Sequence, residues 1–103
     1  MKKINKIVDI YNNDKLKLLD VEQQELWLRS KIVMQFIHLR KLKGYTQQEA
    51  ADKMGVMRQQ VTRFESMSNS PTVFFLVKYA NALETELDVI LKGVEFRETI
   101  NNG

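Results

Sequence analysis

The stretch TQQEAADKMGVMRQQVTRFE, residues 46–65, carries apolar residues at helical spacing, yet a glycine at position 55 cuts it in two. A chain that stops a good helix and restarts it within three or four residues folds there as two short helices joined by a tight turn. Gly55 suits that turn because it enters the left-handed backbone region that a side chain resists. Ala51, four residues earlier, is small enough for the second helix to cross closely. Val56, Val61 and Phe64 then face the shared core. Arg58, Gln59, Thr62 and Arg63 are left outward on the second helix of the pair. These are side chains of the kind that reads base edges, arginine pairing with guanine and glutamine with adenine.

The flanking residues place the rest of the chain. Gly44 follows RKLK, basic residues in a last helical turn with a glycine stop behind them. Thr46 fits a helix N-cap, and Glu49 stands three residues on, where a capping box needs it. The spacing therefore predicts a long helix from near Val21 to just before Gly44, a second over 47–54 and a third over 57–66. On the long helix, Ile32, Val33, Phe36, Ile37 and Leu39 form the core face, extended backwards by Leu26 and Leu28. Past Pro71, the recurrence of Val73, Leu76, Val77, Ala80 and Leu83 predicts a fourth helix with that stripe inward. ELDVILKG fits either a short fifth helix (Leu87, Ile90, Leu91) or a strand (Leu87, Val89, Leu91). Residues 1–20 suggest at best a short helix and an irregular connector, and the NNG tail reads as disordered. The expected division is an N-terminal extension over 1–31, a helical domain over 32–91 and a tail over 92–103.

Composition narrows the function. At 103 residues the chain suits one domain with a modest core. It has no cysteine, which removes disulfides, thiol catalysis and thiolate metal sites. The single histidine, His38, has no cluster of partners and is expected at the surface or rim; no metal or other cofactor is implied. No nucleophile constellation or phosphate loop appears, so an enzyme is not expected. No run of 18 apolar residues and no secretory h-region appear, which leads to an expected cytoplasmic location with no membrane partner. The formal charge is +3 and is unevenly spread: residues 32–65 hold six basic and three acidic side chains, whereas residues 66–103 hold three and five. A basic middle suits a polyanion on one surface, although an ordinary solvated surface has the same charge.

The stretch quoted above, preceded by LRKLKGY and followed by SPTVFFLVKYANAL, resembles the Cro and phage-repressor class of helix-turn-helix proteins, also called the xenobiotic-response-element type. Thr46, Gln47, Ala51, Gly55, Val61 and Glu65 match its motif together, and the resemblance covers about residues 32–91. It implies an all-α, compact five-helix domain, here with an N-terminal helical extension, that binds double-stranded operator DNA as a homodimer. In such a dimer the recognition helices lie about 34 Å apart and read an inverted repeat. By that resemblance Arg58, Gln59, Thr62 and Arg63 occupy the base-reading positions and Gln47 a phosphate contact. The unpaired N–H groups of a helix start favour a phosphate beside Gln47 independently. Arg40, Lys41 and Lys43 are further phosphate candidates, with dipole compensation at a helix end as the alternative. The loop at 66–70 has no lysine or arginine, which leaves Ser68, Asn69 and backbone amides to meet the duplex backbone. Two departures stand out: Met57 replaces the usual Ser or Thr cap of the recognition helix, and Ala50 a usual leucine.

Aromatic surplus points to a partner surface. Phe75 and Tyr79 sit one turn apart beside the stripe of the fourth helix, and Trp27 and Met34 lie seven residues apart on the long helix, away from its core face. All four are candidates for a homodimer or partner interface. For Trp27, cover by Ile4, Ile7, Val8 and Tyr11 is the alternative. The reading is a dimeric transcriptional repressor. One rival is an antitoxin that autoregulates its operon and binds an RNA-cleaving toxin, because the segment before Ile32 resembles the layout of helix-turn-helix antitoxins of the host-inhibition-of-growth type. Another is a scaffold that has lost DNA binding and contacts proteins.

Overall fold

The computed structural model describes residues 19–89 together with Leu91 and Lys92. Four helices lie in that region, α1 (Val21–Leu42), α2 (Gln47–Met54), α3 (Arg58–Glu65) and α4 (Val73–Ala82), and no strand occurs among the described residues. The expected short N-terminal helix and disordered tail lie outside them. Residues 85–89 form neither helix nor strand, so the expected fifth element is absent from this part of the chain, and Ile90 lies outside the described residues.

Local chemistry sets the boundaries. Asp20 caps α1 by accepting from the Gln23 N–H at 2.7 Å, while Gln23 accepts in return from the Asp20 N–H at 3.1 Å. Thr46 and Glu49 form the same reciprocal box at α2, at 3.0 and 2.8 Å. The Met57 side chain gives α3 no capping hydrogen bond. Gln60 supplies half of a box instead, accepting from the Met57 N–H at 3.1 Å.

All four helices end in one motif, in which a left-handed residue lets its own N–H and the N–H that follows it return to the last turn. Gly44 (φ 78°) does this for α1 and Gly55 (φ 72°) for α2, as their identities predict. At the ends of α3 and α4 the left-handed residues are Met67 (φ 66°) and Glu84 (φ 60°). Ser68 N–H there reaches the Arg63 carbonyl at 3.0 Å, and Thr85 N–H the Ala80 carbonyl at 2.9 Å.

The core is built where α2 packs on α3 and α4 and α1 reaches α3. Val33 and Phe36 of α1, Ala50, Ala51 and Met54 of α2, and Val61 and Phe64 of α3 join Leu76, Tyr79, Ala80, Ala82 and Leu83 in one buried cluster. Full burial of one of its Val, Leu, Phe or Met side chains contributes about 1.5–3 kcal/mol. Phe64 is its aromatic centre, with ring centroids of Phe36, Phe75 and Tyr79 at 5.5, 5.4 and 5.7 Å. Ala50, where the resemblance leads to an expected leucine, is completely buried, so the helices meet there on a methyl group.

Three expectations about the core are corrected. Leu26 and Leu28 are half exposed, because the buried positions on α1 begin at Val33. On α4, Val73 and Val77 face outward at 71% and 50% exposure, whereas Tyr79 is fully buried and Phe75 packs against the core. The run VFFLV offers two helical faces rotated by about one residue. The fold uses Leu76, Tyr79, Ala80 and Leu83, a face that packs the Tyr79 ring on Phe36 and Phe64 and brings its hydroxyl to a carboxylate on α3. Tyr79 is therefore a core residue and not an interface residue, and Phe75 is only partly accessible.

Candidate nucleic-acid interface

One side of α3 is buried through Val61 and Phe64; the opposite side presents Arg58, Gln59, Thr62 and Arg63, all exposed. These four line one shallow depression. Among the described residues the side chains of Arg58, Gln59 and Arg63 make no hydrogen bond or ion pair, whereas the Thr62 hydroxyl donates to Gln47 Oε1 at 2.8 Å. Three of the four expected base readers thus present uncommitted donors on one surface, and the fourth offers chiefly its methyl group.

That surface is held by a polar hub behind it. Glu65, the last residue of α3, accepts from Arg40 Nε and Nη2 at 2.8 and 2.9 Å, from Gln47 Nε2 at 3.0 Å and from the Tyr79 hydroxyl. One carboxylate so ties α3 to α1, α2 and α4. The remaining guanidinium nitrogen of Arg40, Nη1, donates to the Tyr45 carbonyl at 2.7 Å. No buried side-chain nitrogen or oxygen among the described residues lacks a partner.

The ion pair is largely out of water, with side-chain exposures of 9% for Arg40 and 5% for Glu65. Burial alone would push the Glu65 carboxyl up. The hydrogen bonds from Arg40, Tyr79 and Gln47, with the Arg40 charge, outweigh burial and hold it below the ordinary carboxylate value. Burial, and then the Glu65 carboxylate, push the Tyr79 phenol well above its usual range, so it stays a neutral donor. The hydrogen bond to Glu65 raises Arg40 further.

Arg40, expected as a phosphate contact, is therefore corrected. It is 7% exposed and every arm of its guanidinium is engaged internally. Gln47 is half-buried with a fixed orientation: a carboxylate cannot donate, so the amide nitrogen faces Glu65 and the carbonyl faces Thr62. The Gln47 amide keeps one N–H beyond its bond to Glu65. Lys43 pairs with Glu84 at 3.0 Å on the surface, and Lys41 is exposed. Ser68 and Asn69 are exposed in the loop after α3, where the Ser68 and Ser66 hydroxyls share a 2.6 Å hydrogen bond.

Sequence reasoning missed Lys78. With Arg63, Asn69 and Ser70 it lines a second groove, between α3 and the start of α4, and its ammonium sits 5.1 Å from the Phe74 ring centroid. Only its charge marked it in the sequence. His38 is exposed, as expected for a surface residue. Of the remaining interface candidates, Met34 is 69% exposed and Trp27 is half-buried beneath the Lys31 ammonium. No group of three potential metal ligands occurs among the described residues, and no helix there is long and apolar enough to cross a membrane.

Comparison with known proteins gives two findings. Residues 38–90 match the family model described as helix-turn-helix (HTH_3). Over 54 residues the chain is 43% identical to a protein of Bacillus subtilis (strain 168) named as an uncharacterized HTH-type transcriptional regulator, YqaE. That match covers 52% of this chain and 47% of the relative, so the chain spans about half the length of that protein. No solved structure gives a significant match.

Proposed function

Because the chain belongs to the Cro and phage-repressor class of helix-turn-helix proteins, we propose that it is a sequence-specific double-stranded DNA-binding regulator of transcription. It acts in the cytoplasm as a dimeric repressor on an inverted repeat. The observation that carries this reading is the contrast across α3: its inner side is locked by Val61, Phe64 and Glu65, while Arg58, Gln59 and Arg63 stand outward with uncommitted donors. Such a helix enters the major groove without reorganising, and each good bidentate base contact contributes about 1–3 kcal/mol of discrimination.

The duplex backbone is held from both sides of α3. On one side the remaining Gln47 N–H and the first turn of α2 meet a phosphate; on the other, Ser68, Asn69 and Lys78 do. Lys43 exchanges Glu84 for a phosphate readily, since a pair so exposed is weak. Support for self-pairing comes from Val73, Phe74 and Val77, a contiguous apolar row on the outer face of α4 that is at least half exposed. Monomers generally avoid such patches. In a two-fold dimer this row meets itself.

The test is selection of bound duplexes from a random library. Recovery of two related half-sites in inverted order, about one helical turn apart, is the expected result. Recovery of random sequences, or of none, overturns the proposal.

A further inference from the structure

The first half of α1 lies outside residues 38–90, the stretch that matches the helix-turn-helix family, yet it is bonded to the loop that follows α3. Arg29 Nη1 donates to the Met67 carbonyl at 2.9 Å, across 38 positions of sequence. Arg29 Nε and Nη2 meanwhile grip both oxygens of Glu25 at 2.9 and 2.7 Å. Glu25 in turn accepts from the Ser70 hydroxyl at 2.8 Å, across 45 positions. One helical turn of α1 thus holds the loop at both ends, Met67 and Ser70. Between them stand the exposed Ser68 and Asn69.

Met67 is the residue where such a hold matters. It ends α3 in a left-handed conformation at φ 66°, a region that L side chains resist and that glycine fills at the ends of α1 and α2. Its carbonyl is the atom that Arg29 takes. The Arg29 side chain is only 15% exposed, so the guanidinium lies against the protein rather than in solvent. The fork geometry of arginine is what allows it to keep Glu25 and Met67 at once.

We propose that Arg29 and Glu25 are positioning residues for DNA binding: they fix the loop after the recognition helix so that Ser68 and Asn69 meet the duplex backbone in register. This rests on the DNA-binding reading above. It makes the N-terminal half of α1 part of the binding apparatus, although that half presents no base-reading side chain. Anything that grips or displaces this half of α1 then changes operator affinity through the loop.

Three proteins separate this role from simple charge loss: Arg29→Ala, Met67→Gly and the double variant. Each is titrated with the selected duplex at a temperature where circular dichroism shows it folded. Arg29→Ala should bind about tenfold more weakly, the equivalent of one charge-assisted hydrogen bond. Its Ser68 amide should exchange with solvent faster than in the wild type. Adding Met67→Gly should restore both quantities, because glycine enters the left-handed turn without the side-chain penalty that the Arg29 bond offsets at Met67. Restoration cannot come from charge, since the double variant still lacks the arginine. Wild-type affinity in Arg29→Ala, or no restoration by Met67→Gly, overturns the inference. A wild-type protein that binds no duplex sinks the DNA-binding reading and this inference with it.

Discussion

Arg40→Met is the sharpest probe of how the recognition helix is held. Methionine keeps an apolar stem in place of the arginine but leaves Glu65, at 5% side-chain exposure, without its counter-charge. Removing one partner of a buried pair costs about 3–5 kcal/mol, because the orphaned charge stays desolvated. In a domain of this size that corresponds to a fall in melting temperature on the order of 15–30 °C. The loss must also depend on pH. In the wild type the Glu65 carboxyl lies below its ordinary value of 4.5, so its contribution is complete above that value and is lost as pH falls through the lower native one. In Arg40→Met burial acts on a carboxylate without its main partner, so its native value moves up instead. The variant is then most handicapped at neutral pH and recovers ground as Glu65 is protonated. Urea melts of both proteins at about pH 7 and about pH 4, followed by circular dichroism, should show the gap narrowing with acid. A gap that stays constant, or a variant as stable as the wild type at neutral pH, would refute the reasoning.

Three further perturbations address the turn, the reading face and the outer face of α4. A Cβ added at Gly55 meets nothing within 4 Å, so the cost of substitution there is purely conformational. Gly55→Val should lose more than about 1 kcal/mol while Gly55→Asn is milder, and equal melting temperatures would place the strain elsewhere. Arg58→Ala or Gln59→Ala should cost about 1–3 kcal/mol on the selected duplex and little on random DNA, by competition anisotropy; equal losses on both would make them backbone contacts. Tyr79→Glu should unfold the domain, whereas Val77→Glu should stay folded, sediment as a monomer and bind the operator more weakly. A folded Tyr79→Glu protein would contradict the packing of α4, and a dimeric Val77→Glu protein the pairing surface.

What could be read in the sequence was local. Thr46 with Glu49, Gly44 and Gly55 each act within a few residues, so their identities place the start of α2 and the left-handed ends of α1 and α2. The outward set on α3 follows from the same periodicity that buries Val61 and Phe64. The errors arose where a partner is distant. Arg40 stands in a helix end, where a basic residue ordinarily faces solvent, and its carboxylate lies 25 residues away. Periodicity among the apolar residues of VFFLV cannot choose a face; Phe36 and Phe64, which pack on the Tyr79 ring, and Glu65, which takes its hydroxyl, all lie on other helices. The loop at 66–70 is legible from its composition, but neither Met67 nor Glu84 carries the signature of a left-handed position. Each is neither Gly nor Asn, yet each turns left-handed at a helix end, with Arg29 on the carbonyl of one and Lys43 on the carboxylate of the other.

Entry of α3 into the duplex is read from backbone amide shifts of nitrogen-15-labelled protein titrated with the selected operator. The largest changes are expected at residues 58–63, with smaller ones at Gln47 and residues 68–69, and an unmoved His38 on the surface of α1. Changes confined to α1 or to the outer face of α4, with residues 58–63 unmoved, would contradict entry of α3.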